Sequence, residues 1–122
     1  MHSQRTLQRL LASVAARLER FPLNVQVCWA PAAALGDAQY EHWASCSMPT
    51  RKRPVWVIAF SDALRTAPLF VLDWLMLHEC LHVRLPACTS GGGGGCHHYY
   101  FRQAERSHPA FLQATAWLDA HG

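Results

Sequence analysis

Leu69-Phe70-Val71-Leu72-Asp73-Trp74-Leu75-Met76-Leu77-His78-Glu79-Cys80-Leu81-His82 is the stretch on which the fold turns. Its residues are too long a run for a strand and are apolar on nearly every side, so as a helix it has no broad face to give to solvent and belongs in the core. Thr66 and Pro68 mark its start and Leu85-Pro86 its end, because proline suits a first helical turn and turns the residue before it away from helix.

The same helix carries His78 and His82, four residues apart, which places both imidazoles on one face, one above the other. Two rings so placed can reach one ion, each nitrogen about 2.0 to 2.1 Å from it. Glu79 lies one step round the helix, within reach of a water activated by that ion. This is the His-Glu-x-x-His division of labour of zinc peptidases, with two ligands and a general base. Burying two histidines and an acid on an apolar helix is unfavourable unless they have partners or a task.

Working outward toward the amino terminus, Leu7, Leu10, Leu11, Val14 and Leu18 recur at helical spacing while Arg5, Arg9, Arg17 and Arg20 take other faces. This predicts a surface helix that ends before Pro22 and lies over a sheet. Residues 24–29 alternate Val25, Val27 and Trp29 with Gln26 and Cys28, a strand with one buried face. Pro31, Gly36 and Asp37 mark a loop. Residues 39–46, with Tyr40, His42 and Trp43, read as a second strand, and residues 55–60 as a third. Three short strands joined by turns predict a small, mostly antiparallel sheet. Ser61, Asp62, Ala63 and Leu64 form a capped single turn.

Toward the carboxyl terminus, Thr89, Ser90 and the glycines at 91–95 make a loop that packs no core. A helix follows from Cys96 to about Arg106, and a last one from Pro109 through Phe111, Leu112, Trp117 and Leu118. The fold class is therefore α+β and the chain, residues 1–122, is one domain: an amino-terminal helix, a three-stranded sheet, a buried histidine-bearing helix and two closing helices.

Composition narrows the function. A hydrophobic fraction of 51% and a charged fraction of 16% describe a globular domain, and a net charge of +3 is too mild to signal nucleic acid by itself. Arg51, Lys52 and Arg53 cluster before Pro54, as in a solvated turn. The 5 cysteines are odd in number and show no repeated C-x-x-C spacing, so neither a disulfide framework nor a separate cysteine zinc module is indicated. Cys88 and Cys96 flank the glycine loop and can pair across it, but a reducing, cytoplasmic setting is the simpler expectation. Asp73, His78 and Glu79 interrupt the apolar run, so no membrane span is expected, and the amino terminus lacks the apolar core of a secretory signal. No oligomeric state is specified.

A catalytic zinc site needs a third protein ligand besides His78 and His82. His97, His98, Glu105, His108 and His121 are the downstream candidates. His97 and His98 open the next helix straight after a loop able to fold back, and Glu105 is the carboxylate alternative from the middle of that helix. His108 and His121 are expected to face solvent.

Trp43-Ala44-Ser45-Cys46-Ser47, then Ile58-Ala59-Phe60-Ser61 with Leu64, then Pro68, Leu72-Asp73 and His78-Glu79-Cys80-Leu81-His82 resemble the YgjP-like metallopeptidase domain, a relative of the SprT-like zincins. The resemblance covers roughly residues 40 to 119 and extends to Glu105-Arg106, Pro109, Phe111, Trp117 and Leu118 in the closing helices. It departs from the family pattern at Ala44, where a glycine is usual, in the insertion at 88–95 and in a shorter amino-terminal part. The resemblance implies a minimal zincin-like fold and a zinc-dependent metallopeptidase, with Glu79 as general base. It also implies His97 as third ligand, because His97 stands four residues before Phe101 as the family's ligand stands before its phenylalanine. Tyr99 or Tyr100 beside the site would stabilise the oxyanion or simply pack. The expected partner is a peptide or unfolded protein. A zinc-stabilised binding module without catalysis is the rival from another class. A SprT-like protease acting on DNA-bound proteins is a third, although no separate zinc finger or basic tail signals nucleic acid.

Overall fold

The structure, a computed structural model, describes residues 1–35, 42–85 and 96–122, with residues 96–98 described in backbone alone. Helix α1 (Gln4–Arg17) begins after Ser3, whose N–H donates to Thr6 Oγ1 at 3.3 Å and so ties down the first turn. Leu7 and Val14 are its fully buried residues, with Leu10 and Leu11 partly buried beside them, as the spacing predicts. Arg20, in the left-handed region at φ 56°, turns the chain out of the helix toward the sheet.

The three strands are β1 (Val25–Ala30), β2 (Ala44–Ser47) and β3 (Trp56–Ser61). Their order is β1-β3-β2, with β3 central, parallel to β1 and antiparallel to β2. The expectation of a mostly antiparallel sheet is thereby corrected to a mixed one. Alternation within each strand specifies a buried face but not the direction of its neighbour. After β1 the chain passes to the far edge before β3 enters between the first two strands, so β1 and β2 are consecutive without being adjacent. Of the expected second strand, residues 39–41 lie outside the described residues and pairing starts only at Ala44.

Register aligns Val27, Ile58 and Cys46 in one row across the sheet and Trp29, Phe60 and Ala44 in the next on the same face. Ile58 and Phe60 are completely buried at the centre of these rows. Ser61 caps a 3-10 turn (Asp62–Thr66) by accepting the Ala63 N–H, which is the expected single turn.

Helix α2 (Leu69–Arg84) starts directly after Pro68 and is the central helix, in contact with α1, β2, α3 (Cys96–Ser107) and α4 (Phe111–His121). Val71, Leu72, Trp74, Leu75, Met76, Cys80 and Val83 are all buried, which matches a segment apolar on every side. Only Leu69 and Phe70, in its first turn, are exposed apolar residues of this helix. Helix α4 closes the core with Ala114 and Leu118. Among the described residues no helix is long and apolar enough to cross a membrane. Among the described residues the architecture is thus α+β, four helices around a small three-stranded mixed sheet.

Candidate metal centre

His78 and His82 lie one turn apart on α2, and the helix brings their Nε2 atoms to 3.2 Å from each other. Two nitrogens each about 2.05 Å from one tetrahedral ion stand roughly 3.3 to 3.4 Å apart, so the pair is already at ligand spacing for zinc. The ligand atoms of His78, Glu79 and His82 all fall within 4.8 Å of one another. The two imidazoles fit a zinc ion in donor type as well as distance, since zinc takes imidazole nitrogen.

Glu79 is only 2% exposed, so its carboxylate acts within a low-dielectric setting. Strand β2 packs against α2 here, and the influence of the Glu79 charge reaches two thiols. Cys46 on β2 is pushed up to about 12 by burial and by that charge. Cys80, beside Glu79 on the helix, is raised for the same two reasons, burial first. Both sulfurs are therefore held as thiols at neutral pH.

The two imidazoles are placed in different electrostatic surroundings. Burial works against a charge on His78, but the hydrogen bond it donates to Glu105 and the charges of Glu79 and Glu105 outweigh it and raise its pKa above the ordinary 6.5. His82 is lowered to about 4, first by burial and then by the neighbouring His78 charge. At neutral pH His82 is thus a neutral imidazole with a lone pair to offer, as metal binding requires.

Helix α3 covers the pair with Phe101 and Glu105. The Phe101 ring meets His78 edge-on at 5.5 Å and lies 4.8 Å from the His82 ring. Glu105 Oε2 is 2.6 Å from His78 Nδ1, and its backbone carbonyl accepts the indole N–H of Trp74 at 3.2 Å. Trp74 in turn lies against His78, ring centroids 5.5 Å apart. Neither Phe101 nor Trp74 was assigned to the site by sequence reasoning, and Glu105 entered only as a possible ligand. Their common signal is the four-residue step, from Phe101 to Glu105 on α3 and from Trp74 to His78 on α2, which aligns side chains on one helical face.

The remaining candidates separate clearly. His97 and His98 fall in the first turn of α3, and their side chains lie outside the described residues, as do Cys88, the glycines at 91–95 and any pairing of Cys88 with Cys96. His108 does not face solvent as expected. It is 8% exposed, its Nδ1 accepts the Ala110 N–H, and its Nε2 therefore carries the proton and donates to Asp73 Oδ2 at 2.7 Å. His121 does face solvent, stacked on Trp117 with ring centroids 3.9 Å apart. Tyr99 and Tyr100 are exposed, and the Tyr99 hydroxyl accepts from Gln103. Arg51, Lys52 and Arg53 are exposed as a solvated turn requires, with the Arg53 N–H donating to Thr50 Oγ1.

Set beside known proteins, the chain matches no described family, no curated protein and no solved structure. What defines the site is its own geometry: a buried His-Glu-x-x-His cluster, spaced for a metal and covered by an aromatic ring and a carboxylate from the next helix.

Proposed function

We propose that this chain is a zinc-dependent metallopeptidase with a minimal zincin-like fold, similar to the YgjP-like and SprT-like peptidases, acting on peptides or unfolded protein. The observation that carries the reading is the 3.2 Å approach of the His78 and His82 Nε2 atoms with Glu79 beside them on the same buried helix. His78 and His82 would hold the metal through these nitrogens. His97 would be the third ligand, as the resemblance implies, with His98 the adjacent alternative; position 97 stands one turn before Phe101 on α3.

Zinc bound at this point supplies Lewis acidity, which acidifies water and polarises a peptide carbonyl. The chain's own residues do the rest. The Glu79 carboxylate takes the proton of the attacking water and returns it to the departing amine nitrogen. Strand β2 is an edge strand, paired on one side with β3, and Cys46 on it lies within electrostatic reach of Glu79. An extended substrate pairing with the outer edge of β2 would lie alongside the base, its backbone held by ladder hydrogen bonds.

The test is a pair of variants assayed for zinc content and for cleavage of an unfolded casein-type substrate. Glu79→Gln should keep zinc and lose at least about a hundredfold in cleavage rate, in line with the loss of a general base. His78→Ala should lose both. Undiminished proteolysis by Glu79→Gln overturns the mechanism, and bound zinc without turnover in the wild type makes the cluster a structural one.

A further inference from the structure

We infer that Glu105 is a positioning residue for the metal centre: through His78 Nδ1 it fixes the tautomer and the ring plane of the first ligand. The inference rests on the proposed reading of the cluster as a zinc site. An imidazole ligates through a nitrogen that carries no proton, so a ring that binds metal by Nε2 must keep its proton at Nδ1. The Glu105 carboxylate, 2.6 Å from His78 Nδ1, is the acceptor that holds it there. The ring nitrogens point in divergent directions, and the other one, Nε2, is the atom that faces His82 Nε2 at 3.2 Å.

Glu105 is itself held. Its backbone carbonyl accepts the Trp74 indole N–H, and Trp74 stands one helical turn before His78 on α2. The backbone that carries the carboxylate is therefore anchored to the helix whose histidine it orients, although it comes from α3. Its side chain is 15% exposed and that of His78 12%, so water competes little for the bond. Phe101 adds a steric constraint, its ring standing at 86° to the His78 ring.

The same geometry argues against Glu105 as the third ligand. The described atoms able to surround one point are those of His78, Glu79 and His82, whereas the Glu105 oxygen sits on the Nδ1 side of His78. A carboxylate in this place raises the basicity of the imidazole it holds and preorganises it, and removing such a partner weakens metal binding about 10- to 100-fold.

The test compares zinc affinity, by competition with a chelating dye, for the wild type, Glu105→Gln and Glu105→Ala, with circular dichroism of each metal-free protein as the folding control. The Gln side chain can still accept the Nδ1–H without the charge, so Glu105→Gln should fall between the wild type and Glu105→Ala, which should lose about 10- to 100-fold. Nitrogen-correlated proton spectra of the zinc-loaded protein add an independent readout. His78 should show a downfield, slowly exchanging Nδ1–H in the wild type, and Glu105→Ala should lose it while the two-ligand helix stays folded. A wild type that binds zinc while Glu105→Ala binds it equally well overturns the inference and leaves the peptidase reading standing. A wild type that binds no zinc removes that reading itself. A cobalt-substituted spectrum that changes coordination number in both Glu105 variants makes Glu105 a ligand and likewise overturns the inference.

Discussion

His108 Nε2 donates to Asp73 Oδ2 at 2.7 Å, which ties the junction between α3 and α4 to the second turn of α2. Arg17 of α1 approaches the other oxygen of the same carboxylate at 3.8 Å, so Asp73 gathers three helical segments. His108→Ala leaves an anionic acceptor without its closest donor and opens space at a position only 8% exposed, and should destabilise the fold by about 2 to 3 kcal/mol. Urea unfolding of the metal-free protein measures this. His121→Ala, at an exposed ring, should stay within about 0.5 kcal/mol of the wild type and serves as the contrast.

Ile58 sits at the crossing of the two strand pairings, opposite Val27 on one side and Cys46 on the other, and is completely buried. Ile58→Ala removes methylene groups from the central strand, where neither flanking strand can close the gap without losing register. A loss of about 2 to 5 kcal/mol is expected from the same denaturation experiment. Leu112→Ala, at a side chain 75% exposed, should leave the unfolding midpoint nearly unchanged.

Much of this architecture was legible because its determinants are local. The run at 69–82 could only be a core helix, and its two histidines could only share a face. The direction of the strands was not legible, because it depends on a chain path between β1 and β2 that alternation does not encode. His108 was misjudged for a related reason: a histidine before a proline reads as a turn residue, and only the fold brings Asp73, 35 residues earlier, to its Nε2. Glu105 was legible by its chemistry only as the alternative third ligand; that it meets Nδ1 of His78 is a tertiary fact. The helical spacing that put Phe101 and Glu105 on one stripe was in the sequence; that the stripe falls on His78 was not.

Cys46 gives the protein a dependence on alkaline pH. Its thiol is raised from the ordinary 9.0 to about 12 by burial and by the Glu79 charge. From roughly pH 9 upward the unfolded chain gives up that proton while the folded chain keeps it, so the ionised form favours unfolding. The contribution is complete below the unfolded value and is lost as pH rises through the folded one. Denaturant midpoints should therefore decline between about pH 9 and 12, and Cys46→Ala should flatten part of the decline. Cys80, shifted in the same direction, accounts for a further part. At neutral pH a thiol-directed reagent should modify these two residues only after unfolding, which mass spectrometry of the labelled peptides reads directly.

A chelator tests whether the proposed zinc centre is catalytic or structural. Leu7, Val14, Ile58, Phe60, Leu72, Leu75 and Leu118 are buried without being part of the His78-Glu79-His82 cluster, so the core closes around α2 whether or not an ion is bound. A chelator should accordingly lower the melting temperature without unfolding the protein, unlike a zinc finger, whose folding energy is the metal's. Zinc in hundredfold excess over its dissociation constant should add about 2.7 kcal/mol to the unfolding free energy, because the spaced ligands exist only in the folded helix. His82→Ala should abolish that gain while leaving the metal-free fold intact. Unfolding of the wild type by chelator would instead make the ion a structural element of the domain.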